Sequence, residues 1–240
     1  MSTGTTPAGS SPETAHGLLL GPMLRHVDDT SASIWVETAA ACTVEVRCGA
    51  DAWQAPTFSA HGHHYALIEV SGLAAGSVRP YSVHLDGDLV WPVRDGFPDS
   101  MIATLDLAKE PRLAFGSCRT SVAHDESGNR THGIDAMRAY ALAMAAPGHG
   151  RWPDMALFLG DQVYADSTSL EMQEFIRGRR NIREAPGKEL KDFEEYAHLY
   201  RLAWSDPANR WLLSTLPSAM IFDDHDIRDD WNSSLDWERA

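Results

Sequence analysis

The sequence predicts two regions of different fold class, an all-β sandwich followed by an α/β region. Residues 18–105 hold short segments in which apolar and polar residues alternate, the pattern of half-buried strands. After Pro111 the pattern changes to apolar strands separated by segments of helical periodicity. With 240 residues, of which 43% are hydrophobic, the chain can bury a core in each region.

The β region is predicted to cover residues 17–108 and to form an antiparallel sandwich of the immunoglobulin or fibronectin type. Its segments include "SASIWVET" and "CTVEVRC", separated by Gly and Pro turn signals, and Asp86-Gly87 predicts a hairpin turn. Residues 1–16 are rich in small polar residues, Gly and Pro, so we expect a flexible tail there.

The second region, residues 111–240, alternates strands and helices. Strands are predicted in "RLAFGSC" (112–118), "PDMALFLGD" (153–161) and "SAMIFDDHD" (218–226). Helices are predicted over 133–145, 169–181, 188–204 and 207–215. This order favours a parallel sheet with right-handed crossover connections.

Composition narrows the classes of function. The net charge of -14 argues against nucleic acid as the main partner, since phosphate backbones attract Lys and Arg. No apolar run reaches the ~20 residues of a membrane helix, and the N-terminus lacks the pattern of a secretory signal. Cys42 and Cys48 lie in one predicted strand at about 20 Å, too far apart for a disulfide. We therefore expect reduced thiols and a cytoplasmic protein.

Reactive side chains follow each predicted strand of the α/β region. Because the carboxyl ends of parallel strands share one edge, these side chains should meet in one crevice. The groups are Gly116, Ser117, Cys118 and Arg119 after the first strand, Gly160, Asp161 and Tyr164 after the second, and Asp223, Asp224, His225 and Asp226 after the third.

Each group also has a structural interpretation. The run "FDDHDIRDD" crowds carboxylates that repel unless cations intervene, which indicates a metal ion. The alternative is a solvated acidic loop in which one Asp caps a helix. Asp161 could be a turn residue, Tyr164 a packing aromatic and Cys118 a core thiol. If this edge of the sheet has no function, all of these structural interpretations must be correct at once.

The motifs "GSCR", "LGDQVYAD" and "FDDHDIRDDWN" resemble the PhoD-like (alkaline phosphatase D) metallophosphatases of the calcineurin-like metallophosphoesterase superfamily. The resemblance covers about residues 112–232, and the β region is similar to the N-terminal sandwich of that family. It implies an α/β metallophosphoesterase domain with a binuclear centre that cleaves phosphate esters. It further implies Fe³⁺ and Ca²⁺ as the two metal ions.

The resemblance assigns roles residue by residue. Cys118 and Tyr164 match iron ligands, Asp161 a carboxylate bridging both metals, Asp224 a metal-binding position, and His225 the catalytic histidine. Arg119 is placed to bind a phosphate, or else to form a surface salt bridge. The family's later histidine motifs do not occur before Ala240. We therefore expect an apparently incomplete domain and little activity from these 240 residues alone.

Three hypotheses follow. The first is metal-dependent hydrolysis of a small phosphodiester or phosphomonoester. The second is a non-catalytic binding module in which the sandwich carries the function, and the third is an enzyme with Cys118 as nucleophile.

Two basic stretches have open interpretations. "HGHH" at 61–64 could bind a transition metal or be structural, and Arg177, Arg179, Arg180 and Arg183 form either a basic lid over an anionic substrate or a solvated helix face.

Overall fold

A computed structural model describes residues 17–120, 124–148 and 151–235 of the chain. The tail predicted for residues 1–16 lies outside the described residues. The described part contains thirteen β-strands, five α-helices and one 3₁₀ turn. Ten of the strands precede residue 104, so a β-rich region comes before an α/β region, as the sequence predicts.

The β-rich region consists of antiparallel sheets. Its strands are β1 (Leu18–Val27), β2 (Ser31–Thr38), β3 (Thr43–Cys48), β4 (Asp51–Pro56), β5 (Phe58–Ala60), β6 (His63–Ser71), β7 (Val78–Pro80), β8 (Ser82–Leu85), β9 (Asp88–Trp91) and β10 (Met101–Ala103). They form two four-stranded sheets, β1-β2-β6-β5 and β4-β3-β8-β9, and a pair, β10-β7. Asp86 and Gly87 form the turn between β8 and β9 with positive φ angles, so that hairpin prediction is confirmed.

One hydrophobic core fills the space between the two larger sheets. Ile34 and Ile68 from one sheet and Val46 and Val83 from the other are essentially fully buried. The alternation in β6, where every second residue from Ala66 is buried, explains why its apolar and polar residues alternate. Cys42, Cys48 and Cys118 are all free thiols, as predicted.

The α/β region forms a parallel sheet with the order β11-β12-β13. Its strands are β11 (Leu113–Gly116), β12 (Met155–Leu159) and β13 (Ser218–Ile221). Its helices are α1 (Glu126–His132), α2 (Ala136–Ala145), α3 (Leu170–Arg179), α4 (Phe193–Trp204) and α5 (Pro207–Thr215). Helix α1 is absent from the sequence prediction, because "ESGNRTH" carries no apolar periodicity; Asp125 caps its start.

Two predicted elements are shorter in the structure by five residues at one end. The third strand ends at Ile221 rather than at residue 226, because Asp224–Asp226 form a 3₁₀ turn. Asp223 and Asp226 cap that turn reciprocally, each accepting a backbone N–H of the turn. The helix predicted from residue 188 begins only at Phe193, where Asp192 accepts the N–H of Glu195.

The first sheet of the sandwich packs directly on the α/β region. Leu20 and Met23 of β1 form a buried cluster with Leu213 of α5. Across the same junction, the Tyr81 hydroxyl donates to the Ser214 carbonyl at 2.6 Å. These contacts join helix α5 of the α/β region to the sandwich.

Among the described residues no helix combines the length and the apolarity needed to cross a membrane. The cytoplasmic location inferred from the sequence stays a prediction.

Candidate metal centre

The loops after β11 and β12 lie side by side at the carboxyl edge of the sheet. The Cys118 N–H donates to the Gly160 carbonyl at 3.3 Å, and the Arg119 N–H donates to the Asp161 carbonyl at 3.0 Å. Cys118 and Asp161 have φ angles of 57° and 49°. Left-handed backbone at residues other than glycine is uncommon and clusters at functional sites, where surrounding contacts hold it in place.

The loop after β13 approaches this pair closely, and a glycine makes the approach possible. A Cβ atom on Gly160 would lie 2.5 Å from the Cβ of Asp223. Gly160 also has a φ of 99°, which favours glycine. The glycine of "LGD" therefore allows Asp161 and Asp223 to lie close together.

Three carboxylates converge at this point. Asp161, Asp223 and Asp224 each offer an oxygen, and these atoms lie within 4.8 Å of one another. Asp161 is buried, and its Oδ1 has no hydrogen-bond partner. A buried carboxylate oxygen without a partner is costly, and a cation shared with the other two carboxylates would remove that cost. These residues therefore fit a metal ion.

The Tyr164 phenol lies near the Asp161 carboxylate and the Cys118 thiol. Burial raises the pKa of the Tyr164 phenol, and the nearby Asp161 and Cys118 raise it further. The nearby Thr120 side chain lowers this pKa and offsets part of the rise. The structure thus brings the Cys118 thiol next to the carboxylate of Asp161 and the phenol of Tyr164, which are distant from it in sequence.

The His225 imidazole is oriented by a carboxylate to which the sequence assigns no role. Its Nδ1 lies 2.9 Å from Oδ2 of Asp166, and its ring centroid lies 4.5 Å from that of Tyr164. Burial lowers the pKa of His225, but the hydrogen bond to Asp166 and the negative charges of Asp166, Asp161 and Asp224 together outweigh burial, so the net pKa is raised. Asp166 belongs to the quoted motif "LGDQVYAD". The sequence signal that could have identified Asp166 is a second carboxylate in the loop that follows the apolar strand.

The remaining acidic residues divide into two roles. Asp224 accepts the backbone N–H groups of Asp230 and His225, and the Asp230 bond is the main cause of its lowered pKa. Asp226 is buried and accepts the N–H of Val163 at 3.1 Å. Burial raises the pKa of Asp226. Asp226 therefore joins the two loops, whereas Asp224 faces the cluster.

A second group of possible metal ligands overlaps the first. Oxygen and nitrogen atoms of Asp224, His225 and Asp229 also lie within 4.8 Å of one another. The Nε2 of His225 is 3.7 Å from Oδ1 of Asp229. His225 can therefore act either as a ligand or as a proton donor at this edge.

Arg119 has other partners. Its Nε and Nη2 donate to Oδ2 of Asp135 at 3.1 and 2.9 Å, and its Nη1 donates to the Ala203 carbonyl. Both side chains of this ion pair are largely buried. This pairing is neither the surface salt bridge nor the phosphate contact that the sequence suggests. The role of Arg119 in substrate binding stays a prediction, and it requires the guanidinium to leave or share this pairing.

Solved structures show a similar fold. One titled "Structure of PhoD" matches with a TM-score of 0.63 and 18% identity, covering 92% of this chain and 42% of that chain. The chain thus spans less than half the length of that protein. A carbohydrate acetylesterase from Xanthomonas citri matches at a TM-score of 0.28 and 11% identity, covering 85% of this chain and 68% of that one, too low a score to support an argument. None of the curated proteins compared with the chain matches it.

Family comparisons divide the chain where the fold changes. Residues 15–102 match a domain of unknown function, DUF7800. Residues 114–239, more than half of the chain, match the PhoD-like phosphatase family and include the whole carboxylate cluster. The resemblance seen in the three motifs is therefore confirmed: the chain belongs to the PhoD-like phosphatase family.

Proposed function

We propose that the protein hydrolyses small phosphate esters, either diesters or monoesters, in a metal-dependent reaction at a binuclear centre. The observation that carries the proposal is Asp161, a buried carboxylate whose Oδ1 has no partner, next to Asp223 and Asp224. Family membership supports phosphoester hydrolysis as the reaction class. Kinship with the calcineurin-like superfamily is part of the same proposal.

The proposed ligands combine the roles that the resemblance implies with the carboxylate cluster of the structure. Asp161 would bridge two cations, Cys118 and Tyr164 would bind one of them, and Asp224 would bind the other. Thiolate and phenolate donors suit a ferric ion, and carboxylates suit Ca²⁺, in agreement with the pair that the resemblance implies. Asp223, to which the sequence assigned no ligand role, lies close enough to contribute. Such ions, when bound, supply a nucleophilic water and neutralise charge on the phosphoryl oxygens.

His225 would protonate the leaving oxygen. Asp166 accepts from Nδ1, which fixes the ring and leaves Nε2 as the atom that holds or releases the transferred proton. The nearby Tyr164 ring limits rotation of the imidazole. This arrangement follows the general logic in which a carboxylate orients a catalytic histidine.

The binding-module alternative is not favoured, because more than half of the chain matches a phosphatase family. Among the described residues, the two buried carboxylate oxygens without a hydrogen-bond partner, Oδ1 of Asp161 and Oδ1 of Asp166, both lie in the α/β region rather than in the sandwich. Catalysis by the Cys118 thiol stays a separate hypothesis.

The test is Asp161→Asn in the full-length protein. We expect loss of most bound metal and a fall of at least about 100-fold in hydrolysis of bis(4-nitrophenyl) phosphate, since a bridging charge is removed. The matched control is Asp88→Asn, an exposed aspartate of β9, which should keep both. Near-normal metal content and turnover in Asp161→Asn would refute the binuclear proposal. Running 4-nitrophenyl phosphate in parallel decides between monoester and diester.

A further inference from the structure

A buried ion pair lies behind the candidate proton donor, outside the carboxylate cluster. Glu195 of α4 is completely buried, and Arg180, at the end of α3, is 15% exposed. The Arg180 Nε and Nη2 donate to the two carboxylate oxygens of Glu195 at 2.7 and 3.0 Å. Such a two-point contact fixes the orientation of both side chains.

The same two side chains bind the loop that joins α3 to α4, residues 180–192. Arg180 donates from Nη1 to the Gly187 carbonyl at 2.7 Å and from Nη2 to the Glu189 carbonyl at 2.5 Å. Glu195 accepts the Lys191 N–H at 2.7 Å. The buried ion pair thus binds the backbone of the second half of this loop.

The loop in turn reaches the candidate site through the backbone. The Leu190 N–H donates to the Ala165 carbonyl at 3.0 Å, and the Ala165 N–H donates to the His225 carbonyl at 2.8 Å. Next to Ala165, Asp166 contacts the imidazole of His225. A side-chain bond from the Thr168 hydroxyl to the Lys188 carbonyl, 2.8 Å long, runs parallel to this ladder.

We propose that Arg180 and Glu195 are positioning residues, which hold the 180–192 loop so that Asp166 and His225 keep their mutual orientation. The proposal rests on the proposed role of His225 in phosphoester hydrolysis. For Arg180 alone, it replaces the two interpretations of the basic stretch, a lid and a solvated helix face. Arg177, Arg179 and Arg183 are exposed, and both interpretations stay open for them. A proton donor displaced by about 1 Å loses much of its effect, although substrate binding is kept.

The experiment compares two variants of the full-length protein. Arg180→Met/Glu195→Met replaces the ion pair by apolar side chains, which commonly keeps a buried site folded. It removes the three bonds that Arg180 and Glu195 make to the loop backbone and leaves the Thr168–Lys188 bond in place. The matched control is Arg179→Gln, which breaks the neighbouring ion pair between Arg179 and Asp192, at the end of the loop, and leaves the loop contacts of Arg180 and Glu195 in place.

For bis(4-nitrophenyl) phosphate, we expect kcat of the double variant to fall about tenfold with KM within about twofold of the original. Metal content and the urea midpoint serve to exclude general damage, and Arg179→Gln should keep kcat. If the double variant does not fold, Arg180→Lys replaces it, because one ammonium cannot hold Glu195 and both carbonyls. Unchanged kcat in a folded variant would overturn the proposal.

A second readout does not depend on activity. In metal-free protein with ¹⁵N-labelled histidine, the Nδ1–H resonance of His225, assigned by its absence in His225→Gln, reports the bond to Asp166. We expect this resonance to be lost or exchange-broadened in the double variant and retained in Arg179→Gln. An unaltered resonance in the folded double variant would refute the positioning role. If the unmodified protein cleaves neither phosphate ester, the proposed function fails, and the resonance still decides the positioning role.

Discussion

At the scale of single residues, Asp224 and His225 are neighbours in sequence with different surroundings. Asp224 shares the carboxylate cluster with Asp161, whereas the Nδ1 of His225 is bound to Asp166. Neighbouring residues can thus serve metal binding and proton transfer separately.

We predict that Asp224→Ala loses bound metal together with activity. His225→Ala should keep most of the metal and lose about 10²- to 10⁴-fold in kcat, the usual contribution of general acid–base catalysis. Elemental analysis and steady-state kinetics on the same preparations measure both. Equal loss of metal in the two variants would contradict the division and would indicate that His225 and Asp229 are ligands.

At the scale of secondary-structure elements, the end of β12 can approach the end of β13 because residue 160 lacks a side chain. The 2.5 Å separation calculated for an added Cβ is shorter than any relaxed contact between carbon atoms. The loops after these two strands carry all three carboxylates of the cluster, so their spacing determines the geometry of the cluster.

We predict that Gly160→Ala lowers the free energy of unfolding by about 1–3 kcal/mol, since it adds a clash and a positive φ at alanine. It should also weaken metal binding, because Asp223 must move. Gly116→Ala, at the end of β11 with no atom within 4 Å of an added Cβ, is the control. Urea unfolding and metal titration measure the two effects; equal stability of both variants would show that the loops separate without cost.

At the scale of the whole molecule, the sandwich and the α/β region are joined by an ion network around His63. Its Nδ1 lies 2.6 Å from Glu37 of β2, and its Nε2 lies 3.1 Å from Glu194 of α4. Arg201 of α4 also contacts Glu37, at 3.1 Å. This network gives His63 of "HGHH" a structural role. Neither group of possible metal ligands among the described residues contains His63.

The network predicts a pH-dependent stability. Burial lowers the pKa of His63, but its bonds to Glu37 and Glu194 outweigh this and raise the net pKa above the unfolded value. The resulting stabilisation is therefore full below about pH 6.5 and is lost as pH rises through the folded pKa. Tyr65, which faces the same cluster, has a pKa that burial and Glu37 raise to about 12, so it stays neutral throughout.

We expect His63→Gln to be less stable than the original protein by about 1 kcal/mol at pH 5.5, with a difference that shrinks towards pH 8.5. Urea unfolding across this range measures it. His26→Gln, a histidine whose side chain is 60% exposed, is the control and should show a smaller difference. A gap that grows with pH would contradict the sign.

Much of the architecture was readable from local patterns. Alternation predicted the sandwich strands, and apolar runs predicted β11, β12 and β13, because burial on one or both faces leaves a period in the sequence. The three strand-end motifs also indicated that Cys118, Asp161, Tyr164 and Asp224 would meet, since parallel strands share an edge.

Tertiary structure decided what depends on contacts between distant segments. Reciprocal capping by Asp223 and Asp226 forms a turn where the sequence predicts the end of the third strand. The guanidinium of Arg119 forms an ion pair with Asp135. Asp166 became the partner of His225, and Glu195 the buried partner of Arg180. A side chain's residue type and neighbours in sequence do not specify which distant group will desolvate or bind it, because that choice belongs to the packing of the whole chain.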